Sequence, residues 1–451
     1  YEIGVRLVGS EMCIRDSQYS VPAIIAMTVT SLYNIIDSIF IGHGVGALAI
    51  AGLAITFPLM NLVVAFCTLV GIGGATISSI FLGQKDKVRA TEVVHNVLIM
   101  CIINAVCFGG LTFLFLDSIL LFFGASHDTL PYARDFMQVI LLGTPITYVF
   151  IGLNNVMRAT GYPRKAMFSS LLTVGCNIIL APIFIFSFDW GIRGAALATV
   201  VSQTVAMVWV LVHFANKKNF IHFDRRYSRL KVRVVAKIFS IGMSPFLMNV
   251  CACVVVIFIN NALQHTGGDL AIGAYGIVNR TLMLFVMIVM GITQGMQPIV
   301  GYNYGAKQYD RVRKTLRYGI TAGVVVTTVG FVLSELFPHA IVAMFTTSEE
   351  LVDLSVTGLR ISCAMFPFVG CQIVISNFFQ SIGRAPVSIF LSLSRQLLFL
   401  LPLLLILPTY WSTNGVWLSM PISDFIAFVI AVMALWIHQR KIRQKFQTVQ
   451  S

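Results

Sequence analysis

The chain has 451 residues, of which 57% are hydrophobic and 11% charged, with a mean hydropathy of +0.86. A soluble domain carries roughly 25% charged residues, so this chain has more apolar surface than one soluble core could bury, which excludes a soluble enzyme or binding module. The net charge of +13 would suit a nucleic-acid binder, but its confinement to alternate loops excludes that reading in favour of a membrane protein.

Residues 1–17, YEIGVRLVGSEMCIRDS, show no hydrophobic period and no signal-peptide core. They resemble translated adapter or vector sequence, and are set aside as a non-native leader together with Cys13. Twelve apolar runs then follow, each long enough to cross a ~30 Å hydrocarbon layer as a helix of about 20 residues. They cover roughly 18–41, 52–82, 93–123, 133–157, 166–188, 192–214, 238–263, 271–300, 316–346, 351–380, 386–408 and 414–437. The expected fold is all-α and integral to the membrane, with twelve transmembrane helices. Basic residues gather after every second span: Lys85, Lys87 and Arg89; Arg158, Arg164 and Lys165; the stretch from Lys217 to Lys237; Lys307 to Arg317; Arg384; and a tail with Arg440, Lys441, Arg443 and Lys445. The alternate loops hold acids such as Asp128, Asp189, Asp269, Glu349 and Glu350. This alternation predicts a multi-pass protein with both termini in the cytoplasm.

Nine cysteines invite a metal or redox reading that their spacing opposes. Eight lie in or beside the apolar runs, and Cys251 and Cys253, two apart, point to different sides of a helix. Packing as small apolar residues is the reading favoured here, with no metal site and no cofactor expected.

The chain also repeats itself. Gly73, Gly83, Asn155 and Gly161 are matched 222 residues later by Gly295, Gly305, Asn377 and Gly383. With a two-residue insertion, DKVR after span 2 meets DRVR after span 8, and Trp190 and Gly194 meet Trp411 and Gly415. Two six-helix halves follow, 18–215 and 238–438, joined by a basic linker, 216–237, and followed by a basic tail, 439–451. Six is even, so both halves enter from the same side; such parallel repeats build transporters that rock one half against the other. A duplicated passive channel is the competing reading, against which no re-entrant filter loop appears between spans. Prolines 22, 58, 145, 182, 245, 298, 367 and 402 could kink spans.

Three stretches, SLYNIIDSIFIGHGVGALAIAGLA (31–54), NNVMRATG…NIILAPIFI…GIRGAALATVVSQ (154–203) and GITQGMQPIVGYNYGAKQYDRVRK (291–314), resemble the multidrug and toxic compound extrusion (MATE) family across 18–440. The resemblance implies a two-lobed bacterial efflux antiporter of the inner (plasma) membrane. It would exchange H⁺ or Na⁺ for amphiphilic, often cationic drugs, acting as a monomer among membrane lipids and without nucleic acid. One branch of the family carries coupling acids on the seventh and tenth helices, where this chain has none in the span interiors. The other branch carries an N-lobe site, and its pattern falls here on Asp37, Asn177 and Thr199. Ala181 stands where that pattern has a second Asp, which favours H⁺ while leaving Na⁺ open.

Asp37 lies inside an apolar span, where an acid is a functional candidate by default; the alternative is a solvated cap ending the span. Tyr33 and Asn34, on its helix face, and Asn154 are candidate supporting polar groups. Asn177 and Thr199 offer a carbonyl and a hydroxyl to Asp37, or else to neighbouring helices. In the second half Arg280, Arg395 and Asp424 lie near mid-membrane. An Arg395–Asp424 pair would lower the cost of burial, either as a structural tie or as part of a coupling network. The 18 Met and 34 Phe could line an adaptable cleft, or simply pack. A lipid-linked precursor flippase would need more cleft cations than these. An intramembrane enzyme would need motifs such as HExxH or GxSxG that the spans lack.

Overall fold

The computed structural model describes residues 21–30, 40, 47–123, 129–227, 230–344 and 349–450. Every regular element among them is helical. The bilayer as solvent explains this, because backbone N–H and C=O groups that meet no water must pair within their own segment. In order, α1 is Val21–Thr30, α2 is Ala47–Gly83 and α3 is Lys87–Leu114. Helix α4 is a pair, Leu130–Leu142 and Thr144–Ala159, bent by 56°. Then come α5 (Pro163–Ser187), α6 (Gly191–Ala215), α7 (Val232–Gly268), α8 (Leu270–Gly305) and α9 (Tyr309–Leu336). Helix α10 is a second pair, Glu349–Cys363 and Phe366–Ser381, bent by 53°. The last run breaks at Trp411 and Ser412 into α11 (385–410) and α12 (413–450).

Among the described residues, eight helices are long and apolar enough to span a membrane, or ten if each bent pair is one span. Dividing the last run at its break gives eleven, and the shorter apolar helix Val21–Thr30 lies where the first of the twelve spans read from the sequence is expected. The two bends are repeats of each other, for Pro145 and Pro367 each stand in the first turn after the break. A proline there has no N–H to bond backwards and its ring crowds the preceding turn. Pro58, Pro245 and Pro298, expected as kinks, lie within continuous helix instead.

The duplication is visible in backbone geometry. Lys85 (φ 61°) and Lys307 (φ 59°) are both left-handed. Lys85 N–H donates to Leu82 O and Asp86 N–H to Phe81 O, while Lys307 N–H donates to Tyr304 O and Gln308 N–H to Asn303 O. The next helices start at Lys87 and Tyr309, so the offset of 222 holds through this turn. The DKVR–DRVR match is therefore two residues out of structural register, and no insertion falls here. The turns at Gly161 (φ 101°) and Gly383 (φ 75°) are likewise copies. Tyr162 N–H bonds Met157 O at 3.2 Å and Arg384 N–H bonds Phe379 O at 2.9 Å. This is the glycine-terminated helix end, which needs a positive φ that side chains with a Cβ resist.

Each lobe has its own apolar core. Val94, Val97, Tyr148, Leu153 and Phe214 pack in the first, and Ile259, Val289, Leu359, Val374 and Trp417 in the second. The linker folds back on the first lobe: Lys231 pairs with Glu92, its N–H bonds Asn96 Oδ1 at 2.9 Å, and Asp224 N–H bonds His95 Nε2 at 3.2 Å.

Candidate functional site: polar groups within and between the lobes

At the end carrying the basic loops, the lobes meet backbone to backbone. A methyl group at Gly83 (α2) would lie 2.8 Å from the carbonyl carbon of Tyr302 (α8), and one at Gly305 would lie 3.0 Å from that of Ile80. These are reciprocal contacts, since Ile80 and Tyr302 are also 222 apart, so α2 and α8 cross about a local two-fold. Gly73 and Gly242 make similar approaches to Ile238 and Leu69. Polar groups join the same seam: Arg158 of α4 bonds Gln294 of α8, and Gln297 donates to Thr76 Oγ1 at 2.6 Å.

The seam follows one stripe of α8, with Gly291 against Ile24, Gln294 on Arg158, Gly301 against Ser79 and Gly305 against Ile80. The stripe continues the other way, at helical spacing, through Leu284 and Arg280. There Leu284 is 51% exposed and Arg280 is also exposed. The α2–α8 contacts thus gather at the basic end, while α2 and α7 stay in contact further along, with Phe66 against Phe246 and Asn61 bonded to Cys253; beyond Gly291 the α8 stripe is exposed among the described residues.

Within the first lobe, Asn177 of α5 is buried and its Nδ2 donates to Thr199 Oγ1 of α6 at 3.0 Å. Thr199 Oγ1 also donates to Ala195 O at 3.2 Å. One to two turns nearer the basic end, Asn154 of α4 is buried; its Oδ1 accepts from Ser169 Oγ at 2.9 Å and its Nδ2 donates to Ser170 Oγ at 3.3 Å. Thr173 on α5 lies between these groups in sequence. A polar face at spacings of three and four therefore runs along α5 inside an otherwise apolar lobe. Ala181 is buried in the apolar core one turn beyond Asn177. Asp37, Tyr33 and Asn34 lie outside the described residues.

In the second lobe, Arg395 Nε sits 2.6 Å from Asp424 Oδ1. Asp424 is buried on α12, and Arg395 belongs to a wider, π-type turn of α11, Ser394–Leu400. Such turns shift the register of side chains locally. Next to the pair toward the basic end lies a buried serine cluster: Ser244 with Ser388 (2.8 Å) and Ser392 with Ser376 (2.9 Å). Arg280 is not part of this group.

Sequence reasoning missed the seam. Arg158 reads as a loop cation, yet it lies in the last turn of α4 and bonds across to α8. The repeated glycines at 83 and 305 were the available signal, but their facing one another is a tertiary fact. Among the described residues no cluster of His, Cys, Asp and Glu is placed to hold a metal ion, and the described cysteines are free thiols.

The MatE family model matches residues 22–183 and again 241–406. The multidrug export protein MepA of Staphylococcus haemolyticus is 28% identical over 93% of this chain and 92% of its own. That of Staphylococcus aureus strain MSSA476 is 26% identical over 93% and 92%. Among solved structures, the MATE multidrug transporter DinF-BH in complex with R6G is 36% identical, with a TM-score of 0.87 covering 93% of this chain and 94% of that one. A MATE protein in a bent conformation, 23% identical, shares the fold at a TM-score of 0.90 over 96% of each chain. With a family model matching both halves and a twelve-helix two-lobed fold, this chain is a membrane transporter, not an enzyme, and belongs to the MATE family.

Proposed function

We propose that this chain is a secondary active antiporter that exports amphiphilic, often cationic compounds in exchange for H⁺, with Na⁺ the second candidate ion. The observation that carries the reading is the part-buried Asn177–Thr199 bond between α5 and α6, at the two described positions of the family's N-lobe site. A buried amide and a half-buried hydroxyl held together are groups that can stabilise a nearby carboxylate in either protonation state. Asp37 is the carboxylate assigned here, and a single acid with neutral partners suits one proton better than a hard cation, which prefers several charged oxygens. Binding of H⁺ at Asp37 would loosen the substrate on the same lobe; reopening would release the proton on the far side.

The basic end is taken as cytoplasmic, from the excess of Lys and Arg there, in a bacterial plasma membrane with both termini inside. The α2–α8 seam then closes the cytoplasmic side, as one of the two states that alternating access requires would do. The protein acts as a monomer among lipids and needs no cofactor beyond the coupling ion. DinF-BH, bound to R6G, and the MepA proteins, named for multidrug export, support drugs of that kind as cargo.

Everted vesicles carrying the protein test this directly. Uptake of R6G should respond to an imposed pH gradient more than to a Na⁺ gradient, and Asp37→Asn should abolish the response with the protein still inserted. Unchanged gradient-driven uptake in that variant would remove Asp37 from the mechanism.

A further inference from the structure

We propose that Arg280 is a specificity-determining residue on the exposed stretch of the α8 stripe, binding the carboxylate of zwitterionic or anionic amphiphiles; this rests on, and deepens, the efflux reading above. Its depth follows from neighbouring contacts. Thr413 Oγ1 donates to Thr266 O at 3.1 Å, tying the α7–α8 turn to the α11–α12 turn, and the Tyr275 and Trp417 rings lie 6.3 Å apart. Arg280 is five residues beyond Tyr275 and Asp424 seven beyond Trp417, so the two stand within about one helical turn of the same level.

Its direction follows from helical geometry. Tyr275 is buried against the second lobe's core. Five residues further along, a side chain has rotated by about 140° and points away from that core. Eleven residues separate Arg280 from Gly291, which packs on Ile24 of the first lobe; that is almost a whole number of turns. Arg280 therefore looks toward the first lobe, along the part of the stripe that the seam leaves open.

The charge is what distinguishes this position. Arg395 is paired with Asp424 and Arg158 with Gln294, whereas Arg280 is exposed and has no ion pair or hydrogen bond among the described residues. A guanidinium held within the membrane span with no partner among the described residues is costly, and its planar fork of donors matches a carboxylate in two parallel hydrogen bonds. Leu284 and Met283, 51% and 46% exposed, supply apolar surface one turn away for the body of an amphiphile. A simple organic cation would meet like charge at this wall. A zwitterion would not, since its anionic end has Arg280 and its cationic end has the polar groups of the first lobe.

A matched pair of dyes separates these cases: rhodamine 110, with a free carboxylate, and rhodamine 123, its methyl ester. Fluorescence anisotropy with the full chain in nanodiscs would compare wild type, Arg280→Gln and Arg280→Lys. Arg280→Gln should weaken rhodamine 110 by about tenfold or more, the loss expected for one charge-assisted hydrogen-bonded contact, and leave rhodamine 123 unchanged or bound more tightly. Arg280→Lys should fall between, keeping the charge without the fork. Equal weakening of both dyes would mean a structural role, and no change in either would mean that Arg280 does not face the ligand; both overturn the proposal. Should Arg280→Gln not fold, Arg280→Lys carries the comparison, with a reduced preference for the carboxylate expected and an unchanged one overturning. If wild type binds neither dye, the efflux reading falls as well; if it binds the ester and the discrimination ignores residue 280, only this inference falls.

Discussion

Replacing Gly83 by Ala places a methyl group where α2 and α8 cross. Its carbon would sit 2.8 Å from the Tyr302 carbonyl carbon and 3.0 Å from Ala306 N, against roughly 3.5–4 Å for ordinary contact. Both neighbours are backbone, Tyr302 in the last turn of α8 and Ala306 at its end, so no rotamer change relieves the clash, and the helices must part by about 1 Å. Overpacking of this kind costs about 1–3 kcal/mol. The cost falls only on the arrangement in which the lobes touch, so the closed-seam population should drop by about 5- to 150-fold relative to the alternative arrangement. Gly305→Ala should act alike, because its methyl group meets Ile80 across the same local two-fold. The double variant should cost less than the two singles added, since a seam opened for one methyl group already has room for the other. Hydrogen–deuterium exchange of the full chain reads this as faster exchange in residues 77–84 and 300–307, with Gly110→Ala as control, where an added Cβ meets nothing within 4 Å. Protection unchanged from wild type in both single variants would refute the seam as a contact that opens.

Arg158→Ala and Gln294→Ala each strip one partner from a bond across the seam, and each should weaken seam protection in the same exchange experiment by about 1–3 kcal/mol, with a double-mutant cycle showing coupling. Arg395→Met or Asp424→Leu alone leaves an uncompensated charge in the span and should lower the thermal midpoint in detergent by an amount equivalent to about 3–5 kcal/mol, whereas the double variant should recover most of it; equal losses in all three would mean the pair contributes nothing as a pair. Ala181→Asp puts an acid one turn from Asn177, in the apolar core of the first lobe. It should lower stability and add a Na⁺ dependence to dye uptake in vesicles, and uptake indifferent to Na⁺ would count against Ala181 as the reason for a proton preference.

Much of the fold was legible before any coordinates. Lipid solvation forces helices, their number follows from apolar runs of the right length, and the duplication follows from matched punctuation at Gly161 and Gly383, which the structure returns as the same turn twice. The pairing of Arg395 with Asp424 was also readable, because two opposite charges at like depth on consecutive spans have few other partners. Asn177 and Thr199 could be named from their family positions, and their direct bond is consistent with residues 22 apart on consecutive antiparallel helices. Other details were not readable from the chain. Pro145 and Pro367 break their helices while Pro58, Pro245 and Pro298 do not, because a proline inside a span bends it only as far as its neighbours allow.

What the sequence determines by itself is therefore class, span count and repeat, all consequences of short-range rules: apolar length, helical period and the conformational freedom of glycine. What only the tertiary structure decides is which surfaces of the two lobes touch. The glycines at 83 and 305 look like ordinary helix ends until the opposite helix is seen lying against each of them. Arg158 looks like one more loop cation until Gln294 meets it, and Arg280 looks like one more buried charge until the stripe it occupies is followed from the seam to its exposed stretch. Contacts between residues more than a hundred positions apart leave no local trace in a chain this uniformly apolar, since the same leucines and phenylalanines serve lipid, core and lobe seam alike.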